Sequence, residues 1–116
     1  MKKRITKVTT KTGDGGTTGM ADGTRKIKSH NIINAIGDID ELNSWIGKLI
    51  SLEETKTDRF ILHDIQHCLF AIGGSLSLGS EGDISEDDID AIEIPLNAYN
   101  SELTELTNFI LPGGHQ

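Results

Sequence analysis

Apolar residues recur at helical spacing through most of this chain, and that recurrence limits its fold more than any other feature. Ile32, Ala35, Ile36, Ile39, Leu42, Trp45, Ile46, Leu49 and Ile50 follow the 3,4 spacing of one helix face. A second stripe runs through Ile61, Ile65, Leu69, Ile72 and Leu76, flanked by Leu62, Cys68 and Phe70. A third runs through Ile89, Ile92, Leu96, Tyr99, Leu103 and Leu106. The charged residues 51–58 read as a connection, and Gly79 to Asp83 as the end of the second helix. Ser85 with Asp88 has the form of a capping box opening the third helix, and Pro95 is expected to bend it near its middle. Gly37, Gly47, Gly73 and Gly74 weaken these helices by up to about 1 kcal/mol each and suggest close helix–helix approach. The expected fold is all-α, an up-and-down bundle. Three stripes of this width ordinarily pack with a fourth helix, and the apolar turn Phe109–Leu111 before Pro112-Gly113-Gly114 normally leads into another element.

Ahead of the helices stands a glycine-rich segment with nothing to bury, Thr10 to Gly19. It holds four glycines, four threonines, Lys11 and Asp14. Glycines allow positive φ and bring bare N–H groups close to a ligand, while threonine hydroxyls and Lys11 add donors. That set of groups suits a polyphosphate; the bland alternative is a flexible N-terminal loop. It is not a Walker A loop, because no Gly-Lys-Ser/Thr follows the glycines, and it lacks the dinucleotide Gly-x-Gly-x-x-Gly context. The preceding residues 1–9 read as a short extended piece.

Charge divides the chain the same way. Residues 1–28 carry eight of the eleven basic residues and two acids, Asp14 and Asp22, within a net charge of −7. A basic glycine-rich segment on an acidic body suits a small anion better than a nucleic-acid backbone. Arg25, Lys26 and Lys28 either complete an anion site from the far side of the loop or form a solvated charge run. Cys68 is the sole cysteine, so no disulfide framework is expected, and it reads as a small core hydrophobe in a reducing compartment. MKKR has the charge of a signal-peptide start, but no apolar stretch follows, and no run approaches the ~18 residues of a membrane span. A cytoplasmic location is expected.

Few residues suggest chemistry outside the loop. His63 and His67 have the i, i+4 spacing of a zinc helix, but a shorter Asp replaces the usual Glu and no third ligand stands near; polar-face histidines are the preferred reading, and no metal site is expected. Asp38, Asp40 and Glu41 suffice as a solvated face. Asp40 and Asn43, about one turn apart on the helix after the basic loop, are the better candidates for function. No Ser/His/Asp or Cys/His nucleophile set stands out.

The blocks TKTGDGGTTG, GTRKIK, GDIDELNSWIG, IQHCLF and FILPGG, in that order, resemble the trimeric helical-bundle ATP:cob(I)alamin adenosyltransferases over nearly the whole chain. The resemblance implies a ferritin-like five-helix bundle of which about three helices are present. It implies one domain over 1–116, with residues 1–30 binding nucleotide and 31–116 forming the bundle. It also implies transfer of the 5′-deoxyadenosyl group of ATP to the cobalt of cob(I)alamin, with triphosphate released, Mg²⁺ assisting, and active sites lying between subunits of a homotrimer. By position, Thr10, Lys11, Thr12, Gly13, Thr18, Gly19 and Lys28 match ATP-binding residues. Asp40 and Asn43 match the catalytic polar residues, and Phe109 matches the aromatic group that packs on the corrinoid. Ile32 and Asn34 depart from a common arginine and glutamate. The family pattern continues past Pro-Gly-Gly into an arginine-rich helix, so this chain reads as a fragment, a truncated product or a degenerate member. The alternative function is a remnant that binds ATP or corrinoid without turnover. The chain alone is expected to be marginally stable or aggregation-prone, and a longer one a stable trimer.

Overall fold

The computed structural model describes residues 6–82 and 84–114. A small hairpin, β1 (Thr17–Gly19) and β2 (Arg25–Ile27), precedes three helices, α1 (Asn31–Ile50), α2 (Arg59–Leu78) and α3 (Glu86–Ser101). A 3-10 segment, Glu53–Asp58, fills the connection that reads as irregular in the sequence.

The helices begin and end for local reasons. His30 caps α1, its Nδ1 accepting the N–H of Ile32 at 3.1 Å. Gly79 closes α2 in the left-handed region at φ 65°, where a side chain would be strained. At α3, Ser85 accepts the Asp88 N–H while the Asp88 carboxylate accepts from the Ser85 N–H and hydroxyl, as the capping box predicts. Those two donors hold the Asp88 carboxyl below its ordinary value, the backbone N–H contributing most.

Helices α1 and α2 form the main packed pair. Asn43 and Gln66 lie equally far from the connection and bond to each other, so the helices run as an antiparallel hairpin. The α1 stripe divides in two. Ile32, Ile36, Ile39, Ile46 and Ile50 are half-buried, whereas Leu42, Trp45 and Leu49 are exposed. α3 is attached more lightly, with only Ile92 and Pro95 of its apolar residues half-buried. The Tyr99 hydroxyl donates to the Asp58 carboxylate at the α2 start and joins its far end to the pair. Among the described residues none is fully buried.

The fold is helical as expected, with one small addition: Asp22-Gly23, a turn signal between β-branched Thr17, Thr18 and Ile27, folds the polar run into a hairpin. Other expectations change. Of residues 1–9, residues 1–5 lie outside the described residues, and 6–9 form no strand. The third helix stops at Ser101, so Leu103 and Leu106 leave the stripe. There the Ser101 hydroxyl donates to the Ala98 carbonyl, and the N–H groups of Glu102 and Leu103 turn back to Tyr99 and Asn100. Close approach occurs at Gly47, where an added Cβ would stand 3.3 Å from Gln66 Nε2; Gly37, Gly73 and Gly74 face open space. Cys68 is half-buried rather than core, beside Asp64, His67 and Ile92 in the α2–α3 cleft.

Candidate functional site

The glycine-rich segment folds back on itself before entering β1. Asp14 N–H donates to the Lys11 carbonyl and Gly16 N–H to the Gly13 carbonyl, both at 3.3 Å. Lys11 takes φ 61° and Gly16 φ 88°. A lysine in the left-handed region is uncommon, and such positions concentrate at ligand-binding turns. Thr10 and Thr12 share a hydroxyl–hydroxyl contact of 3.1 Å.

Two basic residues from the other arm of the hairpin meet this turn. Lys28 N–H donates to the Gly16 carbonyl at 3.0 Å, and the Lys28 side chain lies over Gly13. A Cβ there would stand 3.2 Å from Lys28 Nζ and 3.3 Å from the Thr17 carbonyl oxygen, so the absence of a side chain makes the approach possible. Arg25 bonds inward to Thr12 and Thr17. Thr18 and Gly19 lie in β1, opposite Lys26 and Arg25. The fold thus gathers Thr10, Lys11, Thr12, Gly13 and Lys28 about one turn, with Thr18 and Gly19 in the strand leaving it. The turn at the other end of the hairpin is closed by the Asp22 carboxylate, which accepts from the Thr24 hydroxyl and N–H and is held below its ordinary pKa by them. Ala21 N–H donates to Ser77 Oγ at 2.9 Å and ties the hairpin to the end of α2.

Asp40 and Asn43 form a second group on α1. Asn43 Nδ2 donates to the Gln66 carbonyl at 3.4 Å, and Gln66 Nε2 donates to the Asn43 carbonyl at 3.2 Å. Asn43 Oδ1 is screened from solvent yet accepts no hydrogen bond, a costly condition for an amide oxygen. Asp40, Ser44, Gly47 and Gln66 line the open hollow beside it. Among the described residues no hydrogen bond joins this group to the loop. Phe109 stands apart from both, fully exposed in the segment after α3.

A family profile described as cobalamin adenosyltransferase matches residues 8–116. The chain belongs to the cobalamin adenosyltransferase family. It is 44% identical over 115 residues to a cobalamin adenosyltransferase of Cupriavidus metallidurans, covering 98% of this chain and 62% of that protein. With a corrinoid adenosyltransferase of Bacillus subtilis it shares 38% over 118 residues, 93% of this chain and 59% of the relative. Among solved structures it resembles a variant of a PduO-type ATP:corrinoid adenosyltransferase from Lactobacillus reuteri complexed with cobalamin and ATP. The TM-score is 0.84 at 30% identity, over 95% of this chain and 63% of that one. The chain spans less than two thirds of the length of each of these relatives.

Three residues have roles that the sequence did not disclose. Gln66 lies in the IQHCLF block, but only helix pairing reveals its bonds to Asn43. Ser77 has no pattern to mark it. Arg25 was visible as a charge near the loop, and its inward orientation was not. For His63 and His67, the hollow they share with Asn43, Gln66 and Phe70 is open to solvent.

Proposed function

We propose that this protein transfers the 5′-deoxyadenosyl group of ATP to the cobalt of a reduced corrinoid. The C5′–oxygen bond of ATP breaks as the cobalt–carbon bond forms; cobalt supplies the electron pair of the new bond, and triphosphate leaves with that of the old. Family membership supports the reaction class. The observation that carries the reading to these residues is the closure of Lys28 over Gly13 at the glycine-rich turn. Cationic and hydroxyl donors gathered there suit a triphosphate and stabilise it as a leaving group.

In this reading Thr10, Lys11, Thr12, Gly13, Thr18, Gly19 and Lys28 hold ATP, Asp40 and Asn43 serve the reacting end, and exposed Phe109 lies against the corrinoid. Residues 1–30 act as the nucleotide region of a single domain whose bundle is 31–116. Mg²⁺ would accompany ATP, adding positive charge to that of Lys11 and Lys28 at the triphosphate. The working assembly is a homotrimer in the cytoplasm, with no nucleic-acid or membrane partner; no described helix is long and apolar enough to cross a membrane.

The test is formation of adenosylcobalamin, followed by absorbance, from ATP and chemically reduced cobalamin. ATP affinity is measured beside it for Lys11→Ala and Lys48→Ala. Lys11→Ala should weaken ATP binding roughly tenfold to a hundredfold, the worth of a charge-assisted phosphate bond. Lys48→Ala should leave it unchanged. Equal effects would remove the loop from the site, and binding without product would leave only the binding role.

A further inference from the structure

Arg25 lies beside the glycine-rich turn, where its charge invites assignment as a phosphate contact. Its bonds give it a different task. Nη2 donates to the Thr12 carbonyl at 2.8 Å and to the Thr17 carbonyl at 3.1 Å, while Nε donates to Thr17 Oγ1 at 3.1 Å. Both Nη2 donors and the single Nε donor are thereby used within the chain. The remaining nitrogen, Nη1, runs along Gly19, 3.7 Å from where a Cβ would be. Little of the guanidinium fork remains for bidentate capture of an anion.

Thr12 and Thr17 bracket the turn. Drawing both carbonyls onto one guanidinium fixes the distance between its two ends and turns their negative oxygens toward Arg25. The turn's own bonds use the Asp14 and Gly16 N–H groups; among the described residues those of Gly13 and Gly15 enter no hydrogen bond. The open N–H groups of Gly13 and Gly15 alternate with the two that close the turn and remain available to an anion.

We propose that Arg25 is a positioning residue for the ATP loop, acting by clamping the Thr12 and Thr17 carbonyls rather than by touching phosphate. This rests on the assignment of the loop to ATP above. A lysine keeps the charge of Arg25 but cannot span both carbonyls and the Thr17 hydroxyl, so charge and shape separate experimentally.

The experiment compares Arg25→Lys, Arg25→Gln, Thr17→Val and Lys28→Ala with the unaltered protein. Two readouts are taken: ATP affinity by calorimetry at several salt concentrations, and backbone amide spectra without ligand. Arg25→Lys and Arg25→Gln should both weaken ATP binding about tenfold, the worth of one or two such hydrogen bonds, with unchanged salt dependence. Lys28→Ala should lose affinity and flatten the salt dependence, as removal of a direct charge contact does. Thr17→Val, which removes only the hydroxyl acceptor, should have a smaller effect than Arg25→Gln. In the spectra, Arg25→Lys should move the Gly13, Gly15 and Gly16 amides and leave those of α1 in place. Affinity preserved in Arg25→Lys, or a flattened salt dependence in Arg25→Gln, would overturn the proposal and make Arg25 a charge contact. If the unaltered protein binds no ATP, the functional reading fails, while glycine amide shifts still decide whether Arg25 holds the turn. Should the Arg25 variants unfold, the Arg25 Nε–H signal of the unaltered protein decides: unmoved on addition of ATP it supports the clamp, and shifted as a phosphate contact would be it overturns it.

Discussion

Asn43 and Gln66 show how a single residue is held ready at the α1–α2 seam. Each side-chain amide donates to the other's backbone carbonyl, which fixes both rotamers and leaves Asn43 Oδ1 without a donor. Gln66→Leu keeps the bulk but removes the donor to the Asn43 backbone carbonyl, which loosens the seam and leaves the Asn43 side chain held only by its own bond to the residue-66 carbonyl. If the proposed adenosyl transfer holds, the expected result is a fall in kcat of about tenfold with ATP affinity unchanged, because the glycine-rich turn proposed to hold ATP is a separate group. Loss of ATP affinity instead would place Gln66 in the nucleotide site. Gly47→Ala probes the same seam sterically: its methyl would stand 3.3 Å from Gln66 Nε2 and must push that amide aside. It should reproduce part of the Gln66→Leu loss although it touches no catalytic group. His30 offers a control in stability alone. Without its Nδ1 acceptor, His30→Ala should cost about 1 kcal/mol in thermal or denaturant unfolding, while His30→Asn should retain most of the cap.

Among the elements, α3 depends most on protonation. Its capping box requires Asp88 as a carboxylate, and the folded pKa lies below the model-compound value of 3.8. That contribution is present above pH ~4 and is lost as pH falls through the lower folded value. Tyr99 works at the opposite end of the scale. Its bond to Asp58, with that carboxylate's negative charge, raises the phenol above its ordinary value of 10.0. The clasp is therefore intact below pH ~10 and fails as pH rises through the raised folded value. Helical circular dichroism should show α3 loosening at both extremes, with Asp88→Asn, which cannot titrate, removing the acid limb and Tyr99→Phe the alkaline one. Unchanged titrations in these variants would disprove the assignments. The helices were legible because periodicity and caps are local: the Ser85–Asp88 box, the Gly79 stop and the Ile32–Ile50 stripe need no neighbour to be seen. The hairpin was missed although Asp22-Gly23 signalled it, because three-residue strands carry almost no periodicity. Lys11 and Gly13 share one glycine-rich block of the sequence, but for Lys28 the residues alone left an anion site and a solvated charge run both open; its place over Gly13 comes from the hairpin. The bonds of Gln66 and Ser77 were not readable, since each partner lies more than twenty residues away and is fixed only by packing.

At the scale of the whole molecule, exposed apolar surface dominates. The chain presents 10176 Å² of accessible surface, against about 6,200 Å² expected for a compact monomer of its mass. Its radius of gyration is 18.1 Å, where a compact chain of this length has about 13 Å. Phe60, Phe70, Phe109 and Leu111 are each at least 80% exposed, too much large apolar area for a comfortable monomer. The 116-residue chain should therefore associate or aggregate at micromolar concentration, and its thermal unfolding should depend on protein concentration. Sedimentation and melts over a hundredfold dilution series check this; a monodisperse monomer with a cooperative, concentration-independent melt would contradict it. Trp45 makes the same question optical. It is the sole tryptophan and sits on the outward face of α1. Wet when the chain is alone, its indole should emit at long wavelength and be readily quenched by iodide. Any contact that covers this face should shift the emission to the blue and shield it, so the protein carries its own dye for association.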